Sequence, residues 1–330
     1  MTAVPSSSNS VPQLNKYLAS TEKKTRDKAI KNLSIFLSDE SRNKMPKSEM
    51  TRLWKGIFYC FWMSDKPLVQ QALATELAEL VLTTTNTSSA LSFLNGFWET
   101  IVREWNGIDR LRLDKYLMLV RRFVDVSFRF LVLHDWDSKL CQEYNIILTH
   151  QGGPLCPSDG RVPVGLVYHV ADVYLEGLEK SLHSSITVTA KPVPIALILT
   201  PFFDLATQTP LGSTYKHLQS SLFEPLLSSC LLFEAGSEEE NDGESRARKR
   251  RRVDSSSSDM YPSIITNACF DDASIEVKLP TKLLRRKLLR RLFETASRAE
   301  TRDANRRKIY ALCKAENDDE DDSEVESDAE

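Results

Sequence analysis

Residues 53–81 read LWKGIFYCFWMSDKPLVQQALATELAELV and show the pattern of two helices joined by a short corner. Five of the nine residues from Trp54 to Trp62 are aromatic. Apolar residues recur here at spacings that bring them to one helix face. These are Leu53, Trp54, Ile57, Phe58, Phe61 and Trp62. No recognisable catalytic pair adjoins them, so the segment is typical of a helical hairpin.

The SDKP corner separates the two helices. Ser64 or Asp65 is predicted to cap the second helix, with Pro67 in its first turn, where a missing N–H costs no hydrogen bond. The apolar stripe of that helix is predicted to consist of Leu73, Leu77, Leu80 and Val81.

Helical patterns continue through most of the chain before position 234. No strictly periodic repeat is visible, but helix pairs of roughly 35–45 residues favour an all-α, HEAT- or armadillo-like stack of helical hairpins. A disordered linker and a charged C-terminal extension complete this fold class. Because aromatic side chains bury large areas, the predicted core is built on Trp54, Phe58, Phe61, Trp62, Trp98 and Trp105.

Composition predicts five segments. They are a disordered N-terminus (1–11), a helical-repeat domain (12–233), a disordered linker (234–262), a basic and partly helical segment (263–315) and an acidic disordered tail (316–330). The tail holds ten carboxylates and no basic residue. The near-neutral total of 43 basic and 46 acidic residues therefore hides strong segregation of charge.

The linker contains a dense basic cluster over 246–252. Successive cations on an exposed peptide favour a nuclear-import signal that binds an import receptor. The alternatives are a solvated charge run or an arm that contacts RNA. The residues of the cluster are Arg246, Arg248, Lys249, Arg250, Arg251 and Arg252.

Residues 282–308 carry eleven Lys and Arg against three acids. Such an excess favours phosphate binding with release of counterions. A terminal helix that docks its leucines and leaves its charges in water is the alternative, and both descriptions can hold together. The candidate contacts are Lys282, Arg286, Lys287, Arg290 and Arg291, whereas Arg285 falls on the apolar side.

A second polar face is predicted on a long helix in GIDRLRLDKYLMLVRRFV (107–124). Arg110, Asp114 and Arg121 share one side of this helix, and Lys115 and Arg122 lie on a neighbouring side. An i, i+4 ion pair worth a few tenths of a kcal/mol explains the spacing. A recognition surface for RNA phosphate or for a partner's carboxylates is the functional alternative.

Catalytic patterns are weak. Gly152-Gly153-Pro154 lacks the ending of a phosphate-binding loop, and His134-Asp135-Trp136-Asp137 adjoins no nucleophile motif. The five histidines do not pair with cysteines at zinc-ligand spacing. The sequence thus predicts no enzyme, cofactor, metal or small-molecule substrate. The six scattered cysteines favour buried free thiols, and neither a signal peptide nor a membrane span is predicted.

The aromatic-rich segments 53–81 and 97–124 resemble the ribosomal RNA-processing protein 1 family, which consists of nucleolar factors of large-subunit assembly. Supporting segments at 18–38, 165–180 and 201–206 extend the resemblance over most of 14–206. It implies an all-helical fold and residence in the nucleolus of the nucleus. It also implies a place on early pre-60S particles beside pre-rRNA and other assembly factors, without cleavage of RNA.

We therefore expect a non-enzymatic scaffold of the pre-60S particle that is needed for precursor rRNA processing. The first alternative is a nuclear helical-repeat adaptor that binds a protein partner unrelated to ribosome assembly. The second is a ribonuclease, which would need clustered carboxylates or a histidine pair in a cleft.

Overall fold

A computed structural model describes residues 11–38, 45–84, 86–185, 191–239 and 261–327. The predicted import cluster at 246–252 lies outside these ranges. The helices are α1 (Val11–Leu18), α2 (Lys23–Leu37), α3 (Lys47–Trp62), α4 (Pro67–Thr83), α5 (Thr87–Glu104), α6 (Arg110–Leu133), α7 (Ser138–Thr149), α8 (Val164–Ser185), α9 (Ile195–Gln208), α10 (Gly212–Leu218), α11 (Glu224–Glu239), α12 (Pro262–Asn267), α13 (Thr281–Ala296) and α14 (Asp303–Ser327). The prediction of an all-α helical-repeat fold is confirmed.

The chain divides into two compact units. The first comprises Met1–Leu131 and Ile146–Val173, and the second comprises Val132–Asn145 and Tyr174–Glu330. None of the helices in the described ranges is both long and apolar enough to cross a membrane. All six cysteines are free and buried.

The predicted hairpin forms the centre of the first unit as α3 and α4. Pro67 begins α4, as expected. The prediction that Ser64 or Asp65 caps α4 is wrong, because the capping position is Lys66 and its side chain makes no capping bond. The Ser64 hydroxyl instead donates to the carbonyl of Phe61 at 2.6 Å, so it serves the end of α3.

The core of the first unit is aromatic. The ring of Trp54 contacts Phe93, Phe97 and Phe123, with centroid distances of 4.6, 5.5 and 5.6 Å. Its indole N–H donates to the carbonyl of Phe93 at 2.9 Å, which satisfies the polar atom inside the core. The rings of Phe97 and Phe123 stack at 3.7 Å and join α5 to α6.

Four of the six predicted core aromatics are buried, namely Trp54, Phe58, Phe61 and Trp98. Trp62 and Trp105 are only half-buried, which corrects the prediction for those two residues. Trp62 is the last residue of α3, and Trp105 begins the 3-10 turn that follows α5. Both stand at helix ends, where less of the ring is covered than in the middle of a packed face.

The second unit contains a two-residue parallel bridge that sequence reasoning missed. Val193 pairs with Ala268, and Pro194 pairs with Cys269. Glu179 of α8 supports this region, because its carboxylate accepts the backbone N–H groups of Ser263 and Ile264 at 2.9 Å each. A carboxylate from another helix thereby caps the start of α12.

The C-terminal helices are packed elements of the second unit. α13 contacts α9, α11 and α14, and α14 also contacts α9. Leu284, Leu288 and Leu292 of α13 are buried, as the leucine stripe predicts. The backbone of α14 continues as a helix through Ser327, into the stretch for which the sequence predicts a disordered acidic tail.

Candidate nucleic-acid interface

α13 exposes a row of cations that we call the basic face, formed by Lys282, Arg286 and Arg290. These residues are four positions apart, so they lie on one side of the helix, and all three are exposed. Arg290 pairs with Glu294 at 2.8 Å, but both partners are largely in solvent. Exposed pairs of this kind are worth little, so a phosphate can replace the carboxylate at low cost.

The other two predicted contacts on α13 are engaged within the second unit. Lys287 and Arg291 are half-buried, and both lie over the ring of Phe270, at 5.2 and 5.1 Å. Arg291 also donates to both carboxylate oxygens of Asp271, at 2.7 and 2.6 Å. These two cations therefore bind the protein itself, which leaves the basic face as the exposed part of the predicted set.

Arg285 anchors α13 from the opposite side. Its side chain is fully buried, and its Nη2 lies 2.9 Å from the carboxylate of Glu316 on α14. The sequence places Arg285 on the apolar side but gives no partner for it. Glu316, the first residue of the predicted acidic tail, is thus fixed in an ion pair rather than released into solvent.

The predicted recognition face of α6 divides into exposed and structural residues. Arg110 and Asp114 are exposed, and Arg121 and Arg122 are half-buried. Lys115 is buried, which contradicts its predicted role as a contact to RNA or to a partner.

Lys115 instead closes the end of α3. Its ammonium group donates to the carbonyl oxygens of Phe61, Trp62 and Ser64, at 3.0, 2.7 and 2.8 Å. The last carbonyls of a helix lack the N–H donor of a following turn, so this cation adds a charged donor there. The carbonyl of Phe61 also accepts from Ser64, and that of Ser64 also accepts from the side chain of Gln70. Burial lowers the pKa of Lys115 to about 8, which still leaves it protonated at neutral pH.

Arg112 completes the arrangement at this helix corner. Its guanidinium lies 4.7 Å from the ring centroid of Trp62 and pairs with Asp109. The hydrogen bond from Arg112 lowers the pKa of Asp109. Arg112 and Lys115 therefore hold this corner together.

The first unit also contains a cleft of about 490 Å³ that sequence reasoning missed. We call it the polar cleft, and its charged lining residues are Lys47, Glu99, Arg103 and Arg161. The sequence predicts a loop over 152–163, and Gly152 in that loop has a φ of 97°, a conformation that favours glycine. Nothing in the sequence indicates that this loop meets α3 and α5.

Described residues do not form a metal centre: no group of three or more His, Cys, Asp or Glu among them is placed to hold an ion. The buried thiols are also poor nucleophiles, because burial raises the pKa of Cys60 to about 11 and that of Cys141 to about 12.

Comparison with known families identifies this architecture. The family described as "Nucleolar protein, Nop52" matches residues 9–313. The chain belongs to the Nop52 family. The family match includes α13, so the resemblance extends beyond the range 14–206 that the aromatic segments alone carry.

Named relatives of this Nop52 chain come from several animals. It is 39% identical over 171 residues to human ribosomal RNA processing protein 1 homolog B, covering 51% of this chain and 22% of the relative. Identity with mouse homolog A is 32% over 218 residues, covering 65% and 43%. With human homolog A it is 29% over 325 residues, covering 92% and 69%. The chain thus spans less than half of the first two relatives.

Membership of the Nop52 family confirms the resemblance to the ribosomal RNA-processing protein 1 family. It places the protein in the nucleolus of the nucleus.

Proposed function

We propose that the protein is a non-enzymatic assembly factor of the pre-60S particle that holds pre-rRNA beside other assembly proteins. The observation that carries this proposal is the basic face of α13. Its cations are exposed on a helix that is fixed in the second unit by the buried pair of Arg285 and Glu316. A rigid row of cations suits a phosphate backbone, since ordering it costs little entropy on binding.

The aromatic residues support a scaffold rather than a catalyst. Trp54 and Trp98 are buried, and Trp54 is surrounded by other rings. Polar helix faces are left as the surface that partners can reach. The protein would therefore bring RNA and proteins together through shape and charge, and act in processing without breaking a phosphodiester bond.

The test is replacement of the cellular protein by a variant in which Lys282, Arg286 and Arg290 are all Gln. We expect the variant to fold but to be absent from the fractions that sediment as pre-60S particles. Precursor rRNA should then accumulate. Unchanged sedimentation and unchanged precursor levels would contradict the proposal. A partner that stays bound after nuclease treatment, with no particle association, would instead support a nuclear adaptor.

The basic cluster at 246–252 is proposed to bind a nuclear import receptor, because six cations stand within seven residues. Changing its six Arg and Lys residues to Ala should leave the purified protein folded. In cells, the same variant should remain in the cytoplasm. Replacing the cluster with an unrelated import signal should restore nucleolar accumulation, and failure of that rescue would show that the cluster has another role.

A further inference from the structure

The polar cleft of the first unit has walls from three parts of the chain. Lys47 is the first residue of α3, Glu99 and Arg103 lie on α5, and Arg161 lies in the loop that contains Gly152. Asn106 and Gln151 add amide groups to the lining. A cleft of about 490 Å³ is large enough for a small organic ligand.

Glu99 presents one half of its carboxylate to internal donors. Its Oε1 lies 2.8 Å from Lys47 Nζ, 3.3 Å from Asn95 Nδ2 and 3.2 Å from His150 Nε2. All three contacts are to Oε1, so none of these donors uses Oε2. Burial alone would raise the pKa of Glu99, but the hydrogen bonds from Lys47 and His150 outweigh it and lower the pKa. The cleft therefore contains an ionised acceptor.

Arg161 is positioned at the cleft by Asp159. Its Nε and Nη2 donate to the two oxygens of Asp159 at 2.9 and 2.7 Å. Asp159 is itself buried, and it accepts the backbone N–H of Gly152 at 3.1 Å. The Arg161 side chain is 72% exposed, so its guanidinium is oriented but still accessible.

Arg103 supplies a second accessible cation. Its Nε pairs with Glu104 at 2.8 Å, and its side chain is 43% exposed. The lining of the cleft thus combines two exposed guanidinium groups with one recessed carboxylate that is paired with the exposed ammonium group of Lys47. A ligand that fits must carry an anion for the guanidinium groups and a hydrogen-bond donor for Glu99 Oε2.

We propose that the polar cleft binds one unpaired nucleotide of RNA, with its phosphate at Arg103 and Arg161 and the donor edge of its base at Glu99. This inference rests on the proposed function in pre-rRNA binding and adds a site on the first unit to the basic face of the second. Bases of single-stranded RNA are read in this way, through their Watson–Crick edges and through guanidinium planes.

Guanine is the base that this cleft should prefer. Its Watson–Crick edge carries adjacent N–H donors, which suit a carboxylate, whereas uracil presents two carbonyl acceptors beside its single N–H. An acceptor facing the ionised carboxylate of Glu99 would be repelled, and Oε2 would gain no donor from it. The cleft should therefore discriminate between bases, which the basic face, as a row of phosphate contacts, should not.

The test measures binding of the purified full-length protein to three nine-nucleotide RNAs: U9, U4GU4 and U4AU4. We expect U4GU4 to bind about tenfold more tightly than either of the others, which is the size of effect that about 1.4 kcal/mol produces. Replacing the central guanosine with inosine, which lacks the exocyclic amine, should remove part of this preference.

Two variants test whether the preference for guanine arises in the cleft. Glu99→Gln should bring U4GU4 to the affinity of U9. Since Glu99 also accepts internal bonds, Gly160→Leu provides a second test. A Cβ at Gly160 would meet no atom within 4 Å, so the new side chain can narrow the cleft without displacing packed neighbours. Gly165→Leu is the matched control, because Gly165 has the same open space and does not line the cleft.

The outcomes separate this inference from the proposed function. Equal affinity for the three RNAs, or an unchanged preference in Gly160→Leu, would overturn the nucleotide site while leaving binding by the basic face in place. Variants of the basic face should lower the affinity for all three RNAs by the same factor. The cleft variants could instead dissociate from pre-60S particles with no change in base preference. That result would mean that a protein partner occupies the cleft, and the inference would be wrong.

Discussion

Gly96 of α5 lies against the indole ring of Trp54 on α3. A Cβ atom built at Gly96 would stand 2.6 Å from Trp54 Nε1 and 2.9 Å from Cγ of Met50. Real Cβ atoms do not approach other atoms so closely, so the absence of a side chain at Gly96 is what allows the two helices to meet. The same indole donates to the carbonyl of Phe93, one turn earlier on α5.

Gly96→Ala should destabilise the first unit even though alanine is the better helix former. The helix-propensity gain is about 1 kcal/mol, but forcing Trp54 out of its position costs about 1–3 kcal/mol and endangers its hydrogen bond. We expect a net loss of up to about 2 kcal/mol in urea unfolding followed by circular dichroism. Gly165→Ala, where an added Cβ meets open space, should be neutral or slightly stabilising. Equal effects of the two changes would contradict the close contact.

Lys115→Met should also destabilise the first unit. The change keeps the aliphatic length but removes the donor to three carbonyls at the end of α3. The carbonyls of Phe61 and Ser64 keep donors from Ser64 and Gln70, so the loss falls mainly on the carbonyl of Trp62. An acceptor that loses its donor costs about 1–3 kcal/mol, and we expect a total in that range. Lys55→Met, on the exposed face of α3, is the control and should change the unfolding midpoint very little. RNA affinity should be the same for both variants when they are folded.

Arg285 and its neighbour Arg286 should behave in opposite ways. Arg285→Met leaves Glu316 without its buried partner, and breaking such a pair costs about 3–5 kcal/mol. Arg286→Met removes an exposed charge and should leave the stability of the second unit almost unchanged. The effects on RNA affinity should be reversed. At temperatures where both variants are folded, Arg286→Met should bind RNA more weakly than Arg285→Met does. If Arg285→Met were as stable as the parent protein, the anchoring role of Arg285 would be disproved.

Asp159 predicts a specific acid sensitivity. The hydrogen bond from Arg161 lowers the pKa of Asp159 from 3.8 to about 2. Since the folded state binds this proton more weakly than the unfolded state, the stabilisation is complete above pH 3.8 and is lost as the pH falls toward 2. The difference in thermal midpoint between the parent protein and Asp159→Asn should therefore be constant near neutral pH and should shrink below pH 4. A difference that grew on acidification would have the wrong sign.

The basic face should set the salt dependence of RNA binding. Each cation that neutralises a phosphate of single-stranded RNA contributes about 0.7 to the slope of log affinity against log salt. Changing Lys282, Arg286 and Arg290 to Gln should reduce that slope by about 2. The matched control changes Lys24, Lys28 and Lys31, an exposed row of three on α2, and should leave the slope unchanged. Equal slopes for the two triple variants would show that the basic face does not contact RNA phosphates more than other exposed lysines do.

Local chemistry explains what the sequence could predict. The apolar period of 53–81 indicated the α3–α4 hairpin, because a helix face is defined by residues that are close in sequence. The leucine stripe of α13 indicated which side is buried for the same reason. The start of α4 at Pro67 also follows from residues within one turn.

The sequence by itself thus determined that the chain forms helical hairpins with an aromatic core and a basic helix near its C-terminus. Only the tertiary structure decided which cations remain exposed on the surface. Lys115 and Arg285 are residue types that often bind RNA. Lys115 instead donates to carbonyls 51–54 positions away, and Arg285 pairs with a carboxylate 31 positions away. The polar cleft likewise joins Lys47, Glu99 and Arg161, which no local period connects. Such contacts depend on how distant segments meet, and that is fixed by packing of the whole unit rather than by spacing along the chain.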